Sequence, residues 1–281
     1  MERILTLDQI EGFVTYYRGL EKAEATCQKY ERILVKMHAW MQKRAISREL
    51  LGVYKQYLLT EKRYAPSTVN VCVAAINDLM RYLGWNECRI ARLKVQEPAF
   101  RFAKKELSRA DYMRLVEVAR EELDSRLHMI LITLASTGIR VSELRYMTVE
   151  SLQSGQVSVY NKGKGRVIIL PLELCRKLEA YAKMQGIQSG CIFLTAKRRP
   201  VSRQEIWRML KRLAVFSGVD AQKVFPHNLR HLFAVSYMEQ YGDLGTLASL
   251  LGHQDINTTR IYIRLSAKTV ALQLSAMKLT A

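Results

Sequence analysis

The sequence predicts a mainly helical protein with one small antiparallel sheet, divided between two domains. Apolar residues recur at three- and four-residue intervals through most of the chain, the period of helices that bury one face. β-Prone runs flank only the segment NKGKGR, from Asn161 to Arg166. The 281 residues exceed the usual size of one domain, and a single basic, proline-bearing stretch interrupts the helical pattern.

The first helix is predicted from Glu21 to Arg44, where Tyr30, Ile33, Leu34, Met37, Trp40 and Met41 form the apolar stripe. A second runs from Arg48 to Leu59. A third runs from Pro66 to Leu83, with Pro66 suited to the first turn because its missing N–H would be unpaired there, and with Gly84 as the stop. From Arg92 to Lys105 the period is lost, Pro98 appears and Glu97 is the one acidic residue, so the stretch reads as an exposed basic linker. Residues 1–97 and 106–281 are then the two domains, with 98–105 between them.

In the second domain, helices are predicted at Leu107–Val118 and His128–Thr137. Gly138 interrupts, Arg140 sits at the junction, and a short helix begins near Ser142. Strands Val157–Tyr160 and Val167–Leu170 form a hairpin, with Gly163 and Gly165 supplying the backbone freedom of its turn. Helices follow at Glu173–Met184, Ser202–Phe216, Asn228–Tyr241, Leu244–Leu251 and Asn257–Ile263.

The charge balance narrows the partner. There are 44 Lys and Arg against 26 Asp and Glu, a formal net charge of +18, which makes a polyanion the natural ligand. Residues 1–105 hold 19 basic and 11 acidic residues and the remainder hold 25 and 15, so both domains are expected to touch it. The first twelve residues mix charges and are unlike a secretory leader, and no run approaches the roughly 18 apolar residues of a membrane span. The five cysteines, Cys27, Cys72, Cys88, Cys175 and Cys191, lack metal-ligand spacing and read as reduced core thiols of a cytoplasmic protein. The GKG of the hairpin lacks the following helix and Ser/Thr of a nucleotide loop, so ATP is not expected.

Three segments carry the chemistry: TGIRVSEL (137–144), PHNLRHLF (226–233) and LGHQDINTTRIY (251–262). In this order they resemble the signature boxes of the tyrosine recombinase, or phage integrase, family, over roughly residues 106–265. The resemblance implies a catalytic set of Arg140, Lys162, His227, Arg230, His253 and Tyr262. Lys164 of the same hairpin is the alternative to Lys162, because the turn is one residue longer than the common family form. It further implies a helical core-binding domain in residues 1–97 and a catalytic domain in 106–281, which close on duplex DNA as a clamp. A specific core site, a homotetramer in the synaptic complex and association with the nucleoid follow from the same likeness.

These residue types suit the reaction that the resemblance implies. Attack on a phosphodiester concentrates negative charge on the equatorial oxygens, and two planar, permanently charged guanidiniums, Arg140 and Arg230, match them. A phenol is mostly protonated near neutral pH, so Tyr262 needs a base, for which His227 titrates in the right range. His253 supports the transition state by hydrogen bonding, and Lys162 supplies a proton to the departing 5′ oxygen. Bond energy kept in the phosphotyrosine lets a second strand's hydroxyl rejoin the DNA without metal, cofactor or ATP.

Other residues have plainer readings. His227 and His231, four apart, lack the acidic base of a zinc hydrolase motif and are not taken as metal ligands. Glu143, three residues after Arg140, is expected to be its structural ion-pair partner. Lys43 and Arg44 at the end of the first predicted helix, and Arg198, Arg199 and Arg203 before and within a basic helix, are candidate DNA contacts. The same residues also allow a catalytically silent DNA-binding regulator, or a topoisomerase of type IB that relaxes supercoils without a specific site.

Overall fold

The computed structural model describes residues 3–94, 106–121, 124–161, 164–252, 259 and 275, with the backbone alone for Asn161 and Lys164. The predicted linker 98–105, Lys162, His253, Tyr262, the predicted helix 257–263 apart from residue 259, and residues 264–281 apart from residue 275 lie outside these residues. The chain divides into two compact units, Met1–Glu97 and Pro98–Ala281. As the sequence predicts, the described residues are mainly helical with one two-stranded antiparallel sheet.

The first unit holds α1 (Leu7–Gly19), α2 (Glu24–Met41), α3 (Arg48–Thr60) and α4 (Pro66–Tyr82). Helix α1 is absent from the sequence-based expectation. Its signal is nevertheless present: Thr6 and Gln9 form a reciprocal capping box, and Ile10, Phe13 and Val14 enter the core at helical spacing. The core joins Phe13, Leu34, Met37, Leu51, Ile76 and Leu79, all close to zero exposure.

Helix α2 ends at Met41, not at Arg44. Gln42 and Lys43 both take left-handed backbone angles, φ 48° and 61°, which turn the chain. Arg44 then folds back, donating from Nε to Met41 O and from Nη2 to Trp40 O, each at 2.9 Å, so the last carbonyls of α2 are capped. Beyond α4, Asn77 exchanges two hydrogen bonds with the backbone of Ile90, and Asn70 exchanges two with Leu93. These amides, seven residues apart on one face of α4, give the extended segment the pairing a neighbouring strand would have supplied.

The second unit contains α5 (Arg109–Glu121), α6 (Ser125–Thr137), a 3₁₀ segment (Val141–Tyr146), α7 (Val149–Ser154), β1 (Gln156–Asn161), β2 (Lys164–Ile169), α8 (Leu172–Met184), α9 (Arg203–Ser217), α10 (Pro226–Tyr241) and α11 (Leu244–Leu251). Helix α6 packs against α5, α8 and α10. Its residues Leu127, Ile130, Leu131 and Leu134 lie in a core shared with Leu178 of α8, Leu210 of α9 and Leu229 of α10. Helix α6 begins three residues earlier than predicted, because Asp124 caps it by accepting from Arg126 N at 2.9 Å.

The hairpin also differs from the expectation. Pairing extends to Asn161 opposite Lys164, so Gly165 lies within β2, opposite Tyr160, and not in the turn. A Cβ on Gly165 would stand 3.0 Å from the Tyr160 ring, so this glycine leaves room for an aromatic side chain on the exposed face. Four of the five cysteines are buried, Cys191 is half-buried, and all are free thiols. No helix among the described residues is long and apolar enough to cross a membrane.

Candidate active site

Arg140, His227 and Arg230 line one cleft of about 500 Å³, together with Arg203, Trp207, Lys211, Phe225 and the 139–142 backbone segment. Three local devices build it. Gly138 ends α6 in the left-handed conformation at φ 61° and turns the chain so that Arg140 leads into the 3₁₀ segment. Pro226 opens α10, which places His227 and Arg230 in its first turns. Helix α9 presents Arg203, Trp207 and Lys211, four residues apart, along one face.

The guanidinium of Arg230 is buried at 4% exposure. Its Nη1 donates to Gly138 O and its Nη2 to Leu251 O, both at 2.6 Å. Arg140 is partly exposed; Nη1 donates to Glu143 Oε1 at 3.1 Å and Nη2 to Gly252 O at 3.4 Å. Glu143 is the ion-pair partner that its spacing suggests, and it is buried. Burial pushes its carboxyl pKa up, but the hydrogen bond from Arg140 N and the charge of Arg166 outweigh that, leaving it below the usual range and ionised.

His227 presents an exposed imidazole. Partial desolvation of the ring, and then the charge of Arg230, hold its pKa below the ordinary histidine value. The neutral ring, able to accept a proton, is therefore the dominant form near neutral pH. His231, four residues on, faces Glu106 with Nε2 at 3.3 Å from Oε1.

The DNA-contact candidates separate. Arg203 lies in the cleft. Arg198 and Arg199 sit in an exposed turn closed by Thr195 N donating to Arg199 O at 2.7 Å. In the first unit the guanidinium of Arg44 stacks 4.5 Å from the centroid of Trp40 while capping α2. Lys43 stands beside it at the turn. A larger cleft of about 1020 Å³ opens among α2, α3 and α4 of that unit, with Lys29, Arg32, Lys36 and Lys62 around Trp40, Tyr57 and Tyr64.

Sequence reasoning missed Arg166, Trp207 and Lys211. The last two were accessible, since Arg203, Trp207 and Lys211 repeat at four-residue spacing in a helix that was foreseen. Arg166 was not, because its role depends on what faces β2.

The sequence profile of the phage integrase family matches residues 105–269. The chain is 31% identical to tyrosine recombinase XerD of Vibrio cholerae over 95% of its own length and 96% of that protein. It is 29% identical to tyrosine recombinase XerA of Pyrococcus furiosus, over 95% and 93%. Among solved structures, a XerA recombinase crystal structure superposes with a TM-score of 0.54 at 25% identity, covering 98% of this chain and 99% of that one. A XerH recombinase bound to a palindromic difH substrate matches in fold with a TM-score of 0.75 at 17% identity, over 96% and 84%.

Proposed function

The chain belongs to the phage integrase family, and from that premise we propose that it is a tyrosine recombinase that cuts and rejoins double-stranded DNA at a specific core site through a 3′-phosphotyrosyl ester on Tyr262. The convergence of Arg140, His227 and Arg230 on one cleft, from elements far apart in sequence, is the observation that supports this reading.

A phosphodiester in the cleft is met by the guanidiniums of Arg140 and Arg230, which stabilise the two nonbridging oxygens as charge builds on them. His227 takes the phenolic proton of Tyr262 as its oxygen attacks phosphorus. The bond to the 5′ oxygen breaks, and Lys162 protonates that oxygen as it leaves. His253 donates a hydrogen bond to the phosphoryl oxygens. Attack by the 5′ hydroxyl of another strand reverses the steps, with His227 returning the proton to the tyrosine.

Residues 1–97 act as the core-binding domain and 106–281 as the catalytic domain, closing on the duplex with the basic segment 98–105 between them. Lys29, Arg32 and Lys36, on one face of α2, approach phosphates in the first unit, as Arg203 and Lys211 do in the second. Four copies assemble on two paired sites.

A nicked duplex carrying the core site tests the proposal, since the nick lets the cleaved end diffuse away and traps the ester. The unmutated protein forms a denaturant-resistant protein–DNA adduct, whereas Tyr262→Phe and Arg140→Ala do not. Adduct formation by Tyr262→Phe, or none by the unmutated protein on its own site, overturns it.

A further inference from the structure

We infer that Arg166 is a positioning residue for strand cleavage: it locks Glu143 and the end of α11, and so sets how Arg140 is presented to the phosphate. The inference rests on the recombinase reading above.

Strand alternation puts Arg166 on the covered face of β2 with Ile168, while Val167 and Ile169 face solvent at 51% and 64% exposure. An arginine is therefore where an apolar residue is the normal choice, and the valine and isoleucine are where polar residues are normal. A guanidinium with 15% side-chain exposure is costly to desolvate unless fully engaged. Both terminal nitrogens are engaged, Nη2 with Glu143 Oε2 at 2.6 Å and Nη1 donating to Leu250 O, while the buried Nε has no hydrogen-bond partner among the described residues.

That second contact completes a series. Leu250 O accepts from Arg166, Leu251 O from Arg230 and Gly252 O from Arg140. Three guanidiniums from β2, α10 and the segment after α6 thus hold three successive carbonyls at the C-terminal, electronegative end of α11. Two of these arginines line the cleft and Arg166 does not, so it acts on them and not on the phosphate. Gly252 fits the arrangement, since a Cβ there would stand 2.3 Å from Arg166 Cδ.

The experiment compares single-turnover cleavage of the nicked core-site duplex at saturating protein with the dissociation constant for the same duplex. Arg166→Ala is expected to slow cleavage about ten- to a hundred-fold, as loss of a group that orients active-site residues does, while affinity stays within about three-fold. Arg166→Lys, which keeps one of the two contacts, recovers part of the rate and covers the case in which the alanine variant does not fold. In a Glu143→Gln background the same Arg166→Ala change costs clearly less, because part of its effect passes through that carboxylate. Cleavage by folded Arg166→Lys and Arg166→Ala within two-fold of the unmutated rate overturns the inference, as does a loss confined to affinity or full additivity with Glu143→Gln. If the unmutated protein itself forms no adduct, the recombinase reading falls and this inference with it; if it cleaves and the Arg166 variants cleave equally well, this inference alone falls.

Discussion

Phe233 lies so close over Gly138 that a Cβ on the glycine would stand 2.4 Å from Phe233 Cδ1. Gly138 caps α6 at φ 61° and its carbonyl accepts from Arg230 at 2.6 Å, so backbone conformation, aromatic packing and the buried guanidinium meet at one residue.

Gly138→Ala therefore carries two penalties, a left-handed β-carbon at about 1 kcal/mol and displacement of a packed ring at about 1–3 kcal/mol. Chemical denaturation is expected to show a loss of at least about 2 kcal/mol. Shrinking the ring as well, with Phe233→Leu, recovers the packing part and leaves the backbone part; full recovery is the result that contradicts this account.

Arg230→Lys keeps the charge but cannot serve Gly138 O and Leu251 O with a planar fork. One buried carbonyl is left unsatisfied at a cost of about 1–3 kcal/mol, and the phosphate loses a paired donor. Single-turnover cleavage should fall by at least about a hundred-fold, the scale for losing one such donor. A lysine variant with near-normal cleavage would show that only charge matters at this position.

The depressed pKa of His227 has a sign that can be checked. The unfolded chain binds the proton more readily, so this group favours the folded state above the ordinary value of 6.5, and that contribution is lost as pH falls through the lower folded pKa. The half-buried His128 is shifted in the same direction by burial and then by the charge of Arg120, so it adds to the effect. The proposed mechanism needs neutral His227, so the acid limb of the pH–rate profile is expected below pH 6.5 and to vanish in His227→Gln. NMR titration of the imidazole protons locates the same midpoint; a midpoint above 6.5 contradicts the assignment.

On the proposed reading, the clefts of the two units contribute separately to DNA affinity. Arg32→Ala, Lys36→Ala and Lys211→Ala should each reduce the slope of log K against log salt by roughly one, the signature of one lost phosphate contact. Fluorescence anisotropy at several salt concentrations measures it. An unchanged slope for Arg32→Ala and Lys36→Ala would remove the α2 face from the DNA-binding surface.

Much was legible in the residue order alone: the mainly helical class, the hairpin, the basic surplus in both halves, and the two boxes that hold Arg140, His227 and Arg230. Local rules suffice there, because helical period, a proline start or a glycine stop depends on neighbours in the chain. Helix α1 is equally local, since Thr6 and Gln9 mark its start. What the tertiary structure alone decided is the partnership of side chains. The ends of α2 and α6 depend on how Arg44 and Asp124 are spent, and Arg44 caps a helix although composition suggests a free cation. Arg166 looks like one more basic residue of a turn, yet the twist and register of β1 and β2 place it against Glu143 and α11. Burial and hydrogen bonding between residues 23 to 112 positions apart are set by packing in three dimensions, and no one-dimensional period encodes them.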